Sequence, residues 1–166
     1  ISSTIGSSIL RVFTGRNIPE GYTKEQVKAW LIEEYKLCAN YGEQTGVIVA
    51  FQNHNEFLFT ADEVIDILER VDSEWFGLIL DISGLRTTNN PYAEAEKLAP
   101  FANYWFIKEH VYHNQKKKRT DMSKMAAIIK RHGFRGYVSF ESLSDGDPKE
   151  IIKEMFYDFK QEFNRG

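Results

Sequence analysis

The sequence predicts an α/β protein built on a parallel sheet of five strands. Five short apolar runs, rich in β-branched and aromatic residues, are typical of strands that are buried on both faces. Segments of helical periodicity separate the runs, and this alternation is typical of parallel sheets. Each run ends in polar or ionisable residues, so a candidate site is expected along the carboxyl ends of the strands. The runs are residues 9–13, 47–51, 76–80, 104–107 and 137–140.

Composition excludes several classes of protein. The net charge of −3 over 166 residues gives no reason to expect a nucleic-acid binder. Cys38 is the only cysteine, so neither a disulfide framework nor a thiolate metal cluster is expected. No apolar run approaches membrane-spanning length and no signal peptide is evident, which predicts a cytoplasmic protein without membrane contact. An exported form stays open as an alternative, because the chain opens directly on Ile1.

Capping boxes mark the starts of the first two predicted helices. Thr23 is followed three residues later by Gln26, and Thr60 is followed in the same way by Glu63. At this spacing each side chain can bond the backbone amide of the other residue. The first helix is predicted to end near Gly42, where a glycine interrupts the apolar periodicity.

Proline, glycine and charge patterns delimit the later elements. A short helix over residues 93–99 is predicted to stop at Pro100. Residues 111–119 are predicted to form a long basic loop exposed to solvent. Thr120 is expected to cap the helix that follows this loop. Asp147 and Pro148 are predicted to start the last helix, because proline is favoured at the first helical position.

The strand ends also match a known order of short motifs. Residues 11–15 resemble a fourth barrel strand, residues 52–54 (Gln-Asn-His) resemble a Glu-Asn-His motif, and residues 80–81 (Leu-Asp) resemble the next strand end. Residues 106–109 (Phe-Ile-Lys-Glu) are similar to a His-x-Lys-Asp motif. Residues 136–141 are similar to a motif that begins with glycine and ends with glutamate. In this order the segments resemble strands four to eight of the xylose isomerase-like TIM-barrel superfamily. That superfamily holds sugar isomerases, sugar epimerases and type IV endonuclease-like proteins.

The resemblance implies a (β/α)8 TIM barrel, of which this chain holds about five βα units. Residues 1–166 are then expected to form a single domain, the C-terminal part of the barrel. A complete barrel usually takes about 250 residues, and the first three strands of the family have no counterpart here. Five parallel strands alone would leave two open edges. We therefore expect either a homo-oligomer or a missing N-terminal barrel segment to cover them.

The resemblance further implies a divalent metal site with incomplete ligands. In the family, Glu, Asp, His and Glu at the ends of strands five to eight hold one metal ion, a set that suits Mn²⁺, Mg²⁺, Co²⁺ or Zn²⁺. Asp81 and Glu141 match two of these ligands, whereas Gln52 and Phe106 stand at the other two positions. An amide oxygen is a neutral, weaker ligand and a phenyl ring is none. The expected ligands are therefore Asp81, Glu141 and, weakly, Gln52.

Several neighbouring side chains have more than one interpretation. His54, Glu109 or His110 could substitute as a metal ligand. His54 could equally be a satisfied loop histidine, Glu109 could pair with Lys108 or Arg11, and His110 could be exposed on its loop. An inward lysine at a strand end, such as Lys108, is expected to be functional. The predicted substrate-binding residues are Arg11, Asn53, His54, Glu109 and His110.

The resemblance implies a sugar or sugar-phosphate isomerase or epimerase that transfers a proton beside a carbonyl. Family epimerases place two carboxylates on opposite faces of a metal-bound ketose. Here Gln52 removes one of them, so Glu141 is predicted as the catalytic base, with Lys108 or a weakly held metal as the electrophile. The alternative is a non-catalytic carbohydrate-binding relative of the same barrel. Either function predicts a small carbohydrate as partner. An endonuclease is disfavoured, because the chain lacks a basic face and a set of ligating histidines.

Overall fold

The computed structural model describes residues 1–54, 57–86 and 88–165. Its strands in chain order are β1 (Ile9–Val12), β2 (Ile48–Gln52), β3 (Phe76–Asp81), β4 (Ala102–Lys108), β5 (His110–His113), β6 (Lys116–Arg119) and β7 (Val138–Glu141). Its α-helices are α1 (Lys24–Thr45), α2 (Ala61–Val71), α3 (Pro91–Leu98), α4 (Met122–Arg131) and α5 (Pro148–Asn164). No helix in these described ranges is long and apolar enough to cross a membrane.

Five strands form one parallel sheet in the order β1, β2, β3, β4, β7. Every neighbouring pair in this sheet is parallel, and the order follows the chain. The sheet is half of an α/β barrel, which confirms the predicted fold class. Within the described residues, β1 and β7 each pair on one side only, so both edges are open.

The outer face of the sheet carries the apolar core. Side chains of alternate strand residues pack against all five α-helices, and this burial supplies the main favourable free energy of the fold. Tyr35 of α1 stacks on Phe51 and lies against Phe76, so three rings join the helix to β2 and β3. The fully buried outer-face residues are Phe51, Leu78, Leu80, Trp105 and Ile107.

The inner face of the sheet is more polar, and it orients the strand-end side chains. The register places Asp81 beside Phe106 and Lys108 beside Glu141. Because alternate residues of a strand share a face, Lys108 lies on the same face as Phe106, as the sequence predicted. The inner face therefore gathers ionisable side chains at the carboxyl ends of the strands.

The first helix ends later than its sequence predicts. It continues past Gly42 to Thr45, and Gly46 caps it in the left-handed conformation with φ of 67°. Gly42 serves close packing instead of a helix stop, since an added Cβ would lie 2.4 Å from the carbonyl oxygen of Val47. Both capping boxes are confirmed, at Thr23 with Gln26 and at Thr60 with Glu63.

The predicted basic loop over residues 111–119 is wrong, because this segment contains an antiparallel hairpin of β5 and β6. Asn114 and Gln115 form its turn, with φ values of 45° and 64°. Turns with two such residues usually contain glycine at the second position, so Asn114 followed by Gln115 is a weak turn signal. Thr120 is not the cap of α4, because Asp121 accepts the hydrogen bond from the Lys124 amide at 3.1 Å. Thr120 Oγ1 donates instead to the carbonyl of Lys108 at 2.6 Å.

We expect Thr60→Ala to lower the free energy of unfolding by about 1 kcal/mol, since the substitution removes the N-cap of α2. Burial tends to raise the pKa of Glu63, but hydrogen bonds from Lys24 and from backbone amides hold it below its ordinary value. Glu63 therefore stabilises the fold above its unfolded-state pKa, and this contribution fades as pH falls through the folded value. Urea unfolding of the parent and of Thr60→Ala at neutral pH measures the contribution of the cap. Urea unfolding of the parent at neutral and at acidic pH measures the contribution of Glu63. The control is Thr4→Ala at an exposed position, and an equal loss in both variants would contradict the capping contribution.

Candidate functional site

Each of the five parallel strands contributes one side chain to a continuous chain of polar contacts, here called the strand-end network. Its members are Arg11, Gln52, Asp81, Lys108 and Glu141. Arg11 Nη1 donates to Gln52 Oε1 at 3.4 Å, and Gln52 Nε2 donates to Asp81 Oδ2 at 2.7 Å. Lys108 Nζ lies 3.2 Å from Asp81 Oδ2 and 3.2 Å from Glu141 Oε1. The predicted convergence of these strand ends is confirmed, whereas their chemical roles stay predictions.

The Asp81 carboxylate is fully buried and fully hydrogen-bonded. Oδ1 accepts from the Ser83 amide at 2.9 Å and from Ser83 Oγ at 3.0 Å. Oδ2 accepts from Gln52 and faces the Lys108 ammonium. These contacts use about four lone-pair positions, the full capacity of a carboxylate. Asp81 also caps the 3₁₀ turn Ile82–Gly84, so it is both a member of the strand-end network and a cap, whereas its role as a site residue stays a prediction.

Asn53 holds β2 and β3 together just beyond their last paired residues. Its Nδ2 donates to the Asp81 carbonyl and its Oδ1 accepts from the Asp81 amide, each at 2.8 Å. The side chain therefore acts as an additional peptide group between the strands. Gly84 packs against it so closely that a Cβ would lie 1.7 Å from the Asn53 carbonyl oxygen. These contacts make Asn53 a positioning residue, and its predicted substrate contact stays a prediction.

Two adjoining cavities of about 390 and 200 Å³ lie over the strand-end network. Both are lined by His54, Lys108, Glu141 and Leu143, so they form one groove at the carboxyl ends of the strands. The first cavity is lined in addition by Arg11, Phe13, Gly15, Arg16 and Gln52. The second is lined in addition by Ser83, Arg86, Glu109, His110, Tyr112 and Lys117. The groove therefore exposes both a carboxylate and an ammonium to a ligand.

Glu109 and His110 belong to the second cavity. Ser142 Oγ donates to Glu109 Oε2 at 2.6 Å, and His110 Nδ1 lies 3.7 Å from the same oxygen. Burial tends to raise the pKa of Glu109, but hydrogen bonds from Ser142 and Ser144 bring it below its usual value. Burial and the nearby charge of Lys117 lower the pKa of His110, so its imidazole is mainly neutral at pH 7.

Two interpretations of these residues are corrected by the fold. Glu109 does not pair with Lys108 or Arg11, because it follows Lys108 directly and successive residues point to opposite sides. Its carboxylate bonds Ser142 instead. His110 and His113 lie in β5 and are half-buried, so neither is on an exposed loop. His54 lines both cavities, with its ring at an edge-on angle to Phe13 and the centroids 5.8 Å apart.

The donor set at the strand ends does not fit a divalent metal. All oxygen lone pairs of Asp81 are engaged, and the Gln52 amide oxygen accepts from Arg11. The Lys108 ammonium lies between the two carboxylates that would have to share the ion. Substitution by His54, Glu109 or His110 is not found either. Among the described residues, no group of three or more His, Cys, Asp or Glu side chains is arranged to hold a metal.

Several residues that line the groove were not predicted from the sequence. Arg16 and Leu143 follow the ends of β1 and β7, where any strand-end loop is a candidate for ligand contact. Arg86 was not predicted, because its place depends on a contact between the segment after β3 and strand β5. Its guanidinium lies over the ring of Tyr112, 4.4 Å from the ring centroid. Tyr112 and Lys117 lie in the hairpin that the sequence did not predict.

The family comparison finds one model, described as the xylose isomerase-like TIM barrel, over residues 1–157. No curated protein matches the chain. Among solved structures, the chain resembles apo 3-keto-D-glucoside 4-epimerase from E. coli, with a TM-score of 0.78 and 11% identity over 96% of this chain and 66% of the other. It resembles D-allulose 3-epimerase from Methylomonas sp. in complex with D-allulose, with a TM-score of 0.74 and 16% identity over 97% and 65% of the two chains.

A third solved structure holds a metal ion. It is a xylose isomerase-like TIM barrel protein from Mycobacterium smegmatis in complex with magnesium, with a TM-score of 0.72 and 13% identity. This match covers 98% of the present chain and 63% of the other. At such identities the likenesses show the fold alone. In all three comparisons the chain spans less than two thirds of the length of its structural relative.

Proposed function

This chain belongs to the xylose isomerase-like TIM-barrel family, and from that premise we propose that it is a sugar or sugar-phosphate isomerase or epimerase. The family contains structural relatives that are named as epimerases, one of which binds D-allulose. The reaction that we propose moves a proton on a carbon next to a carbonyl group. Its reactive groups are Glu141 and Lys108, the carboxylate and the ammonium shared by both cavities of the groove.

The observation that carries this proposal is the 3.2 Å contact between Lys108 Nζ and Glu141 Oε1 at the floor of the groove. A carboxylate can accept a proton from carbon, and an adjacent ammonium can stabilise the oxyanion that forms when the proton leaves. The Glu141 side chain is 31% exposed and the Lys108 side chain 13%. Both can therefore contact a ligand while the sheet holds them in position.

The chemical step balances with these two residues alone. Glu141 takes the proton from the carbon beside the carbonyl, and the electron pair of that C–H bond forms a carbon–carbon double bond. The carbonyl oxygen becomes an enediolate oxygen that accepts a hydrogen bond from Lys108. The protonated Glu141 then returns the proton to the former carbonyl carbon. Lys108 donates a proton to the former carbonyl oxygen and takes up the hydroxyl proton of the neighbouring carbon, so that the carbonyl and hydroxyl groups exchange positions. A single carboxylate favours this isomerisation, because epimerisation needs a second proton-transfer group on the opposite face of the sugar. At the position where the resemblance implies that second carboxylate, this chain has Gln52.

The charge of the groove favours an anionic sugar. The first cavity is lined by three basic side chains, Arg11, Arg16 and Lys108, and by one acidic side chain, Glu141. A phosphate group is recognised well by guanidinium groups, which present several donors in one plane. We therefore propose a sugar phosphate as the favoured substrate class.

The second candidate is a carbohydrate-binding protein without catalytic activity. The observation that favours it is the neutral Gln52 beside the fully bonded Asp81, which leaves one proton-transfer carboxylate in the strand-end network. Such a protein would bind the same anionic sugars without exchanging their protons.

The test combines binding with solvent exchange in the full-length protein. D-allulose and D-fructose 6-phosphate are incubated with the protein in D₂O, and NMR follows deuterium entering the carbons beside the carbonyl. We expect binding of the phosphorylated sugar to be tighter by about ten-fold or more, the effect of one charge-assisted contact, and we expect exchange. Binding without exchange supports the second candidate. If the protein binds none of a series of aldose and ketose phosphates, both the enzyme and the carbohydrate-binding candidate are contradicted.

A further inference from the structure

The Lys108 ammonium lies where two carboxylates from different strands converge. Its Nζ is 3.2 Å from Asp81 Oδ2 on β3 and 3.2 Å from Glu141 Oε1 on β7. The remaining Asp81 oxygen is held by Ser83, so the carboxylate cannot turn away from the lysine without losing two hydrogen bonds. The ammonium therefore occupies a position from which one cation contacts both carboxylates.

This position requires a positive charge. The Asp81 side chain is 0% exposed, and an unpaired buried carboxylate carries a desolvation cost of several kcal/mol. Gln52 donates one hydrogen bond to it but brings no charge. Lys108 is therefore the cation that balances Asp81 within the described part of the chain, and it reaches this carboxylate from the neighbouring strand of the sheet.

A divalent ion could not share the position with Lys108. At a separation of about 4 Å the repulsion between an ammonium and a doubly charged ion amounts to several kcal/mol even at a dielectric constant near 20. The ion would also have to take Asp81 lone pairs that now accept hydrogen bonds from Gln52 and Ser83. At the position where the family has its histidine ligand, Phe106 offers no donor atom.

We propose that Lys108 is the resident cation of this site, so that its ammonium serves at the position where the resemblance to the family implies a divalent ion. The protein then binds and polarises its ligand without a divalent metal. Two of the three N–H donors of the ammonium face Asp81 and Glu141, which leaves one for an oxygen atom of the ligand. This inference rests on the proposed function for the identity of that ligand, whereas its test uses metal alone.

The test measures Mn²⁺ binding by calorimetry and by electron paramagnetic resonance in full-length protein cleared of metal with a chelator. Four forms are compared: the parent, the double variant Gln52→Glu with Phe106→His, the triple variant that adds Lys108→Met, and Lys153→Met. The double variant completes the ligand set but keeps the ammonium, so it is the matched control for the triple variant. Lys153 is an exposed lysine on α5 that pairs with Glu150, so its replacement controls for the loss of one positive charge.

We expect no saturable Mn²⁺ binding by the parent or by Lys153→Met. We expect the triple variant to bind Mn²⁺ about ten-fold or more tightly than the double variant, the size of effect that supporting groups have at metal sites. Saturable binding of one Mn²⁺ by the parent overturns the inference, even if the variants fail to fold. Equal affinity of the double and triple variants also overturns it, since the ammonium would then not occupy the metal position. Neither result depends on whether the protein binds a sugar.

Discussion

Replacing Asp81 by alanine is expected to lower the free energy of unfolding by about 3 to 5 kcal/mol, the range for removing one partner of a buried ion pair. The substitution removes the acceptor of two hydrogen bonds from Ser83 and one from Gln52. It also leaves Lys108, whose side chain is 13% exposed, with Glu141 as its remaining carboxylate partner. Urea unfolding of the full-length protein, followed by circular dichroism, measures the change.

The matched control is Asp62→Ala on α2. Asp62 also pairs with a lysine, Lys97 at 3.1 Å, but its side chain is 78% exposed. An exposed ion pair contributes little to stability because water screens it. If Asp81→Ala costs no more than Asp62→Ala, the strand-end network does not contribute to stability as its burial predicts.

Replacing Glu141 by glutamine is expected to reduce proton exchange on the substrate by about 10²-fold to 10⁴-fold, the usual contribution of a positioned general base. The amide has nearly the shape of the carboxylate but cannot accept a proton at neutral pH. Sugar binding should fall much less, because the cationic lining of the first cavity stays in place. Deuterium incorporation by NMR and sugar affinity by calorimetry separate the two effects.

Glu150→Gln provides the control for this experiment, since Glu150 is an exposed glutamate whose ion-pair partner is Lys153 on the same helix. Its exchange rate should equal that of the parent. Retention of full exchange in Glu141→Gln would show that another group takes the proton. Equal losses of exchange and of sugar affinity would instead assign Glu141 to binding.

The sequence was sufficient to predict four of the strand-end residues, because each directly follows an apolar run; they are Gln52, Asp81, Lys108 and Glu141. Arg11 lies within an apolar run and was singled out for that reason. Lys108 could also be assigned to the inner face, since it lies two residues after Phe106 in the same strand. The contacts between these residues could not be predicted. The hydrogen bond from Gln52 to Asp81 and the position of the Lys108 ammonium depend on side-chain reach and on the register between strands. Neither quantity is encoded in a local pattern.

Other parts of the site escaped prediction for local reasons. The hairpin of β5 and β6 has no glycine in its turn, and its second strand is a run of four basic residues without alternation. Asn53 was expected to contact substrate because its type and place fit a polar strand end. The structure shows that its amide bonds the backbone of Asp81, a use that sequence cannot distinguish from ligand contact.

The hairpin also limits how this protein can be recombined with its relatives. In many barrels the loop after each strand can be altered separately, which allows one scaffold to acquire new chemistry. Here the hairpin turn donates backbone hydrogen bonds from Asn114 to Thr88 and from Gln115 to Arg86, each at 2.8 Å. The segments after β3 and after β4 are therefore joined into one structural unit. A chimaera that exchanges only one of them would lose both bonds, so grafts from a homologue should carry the pair.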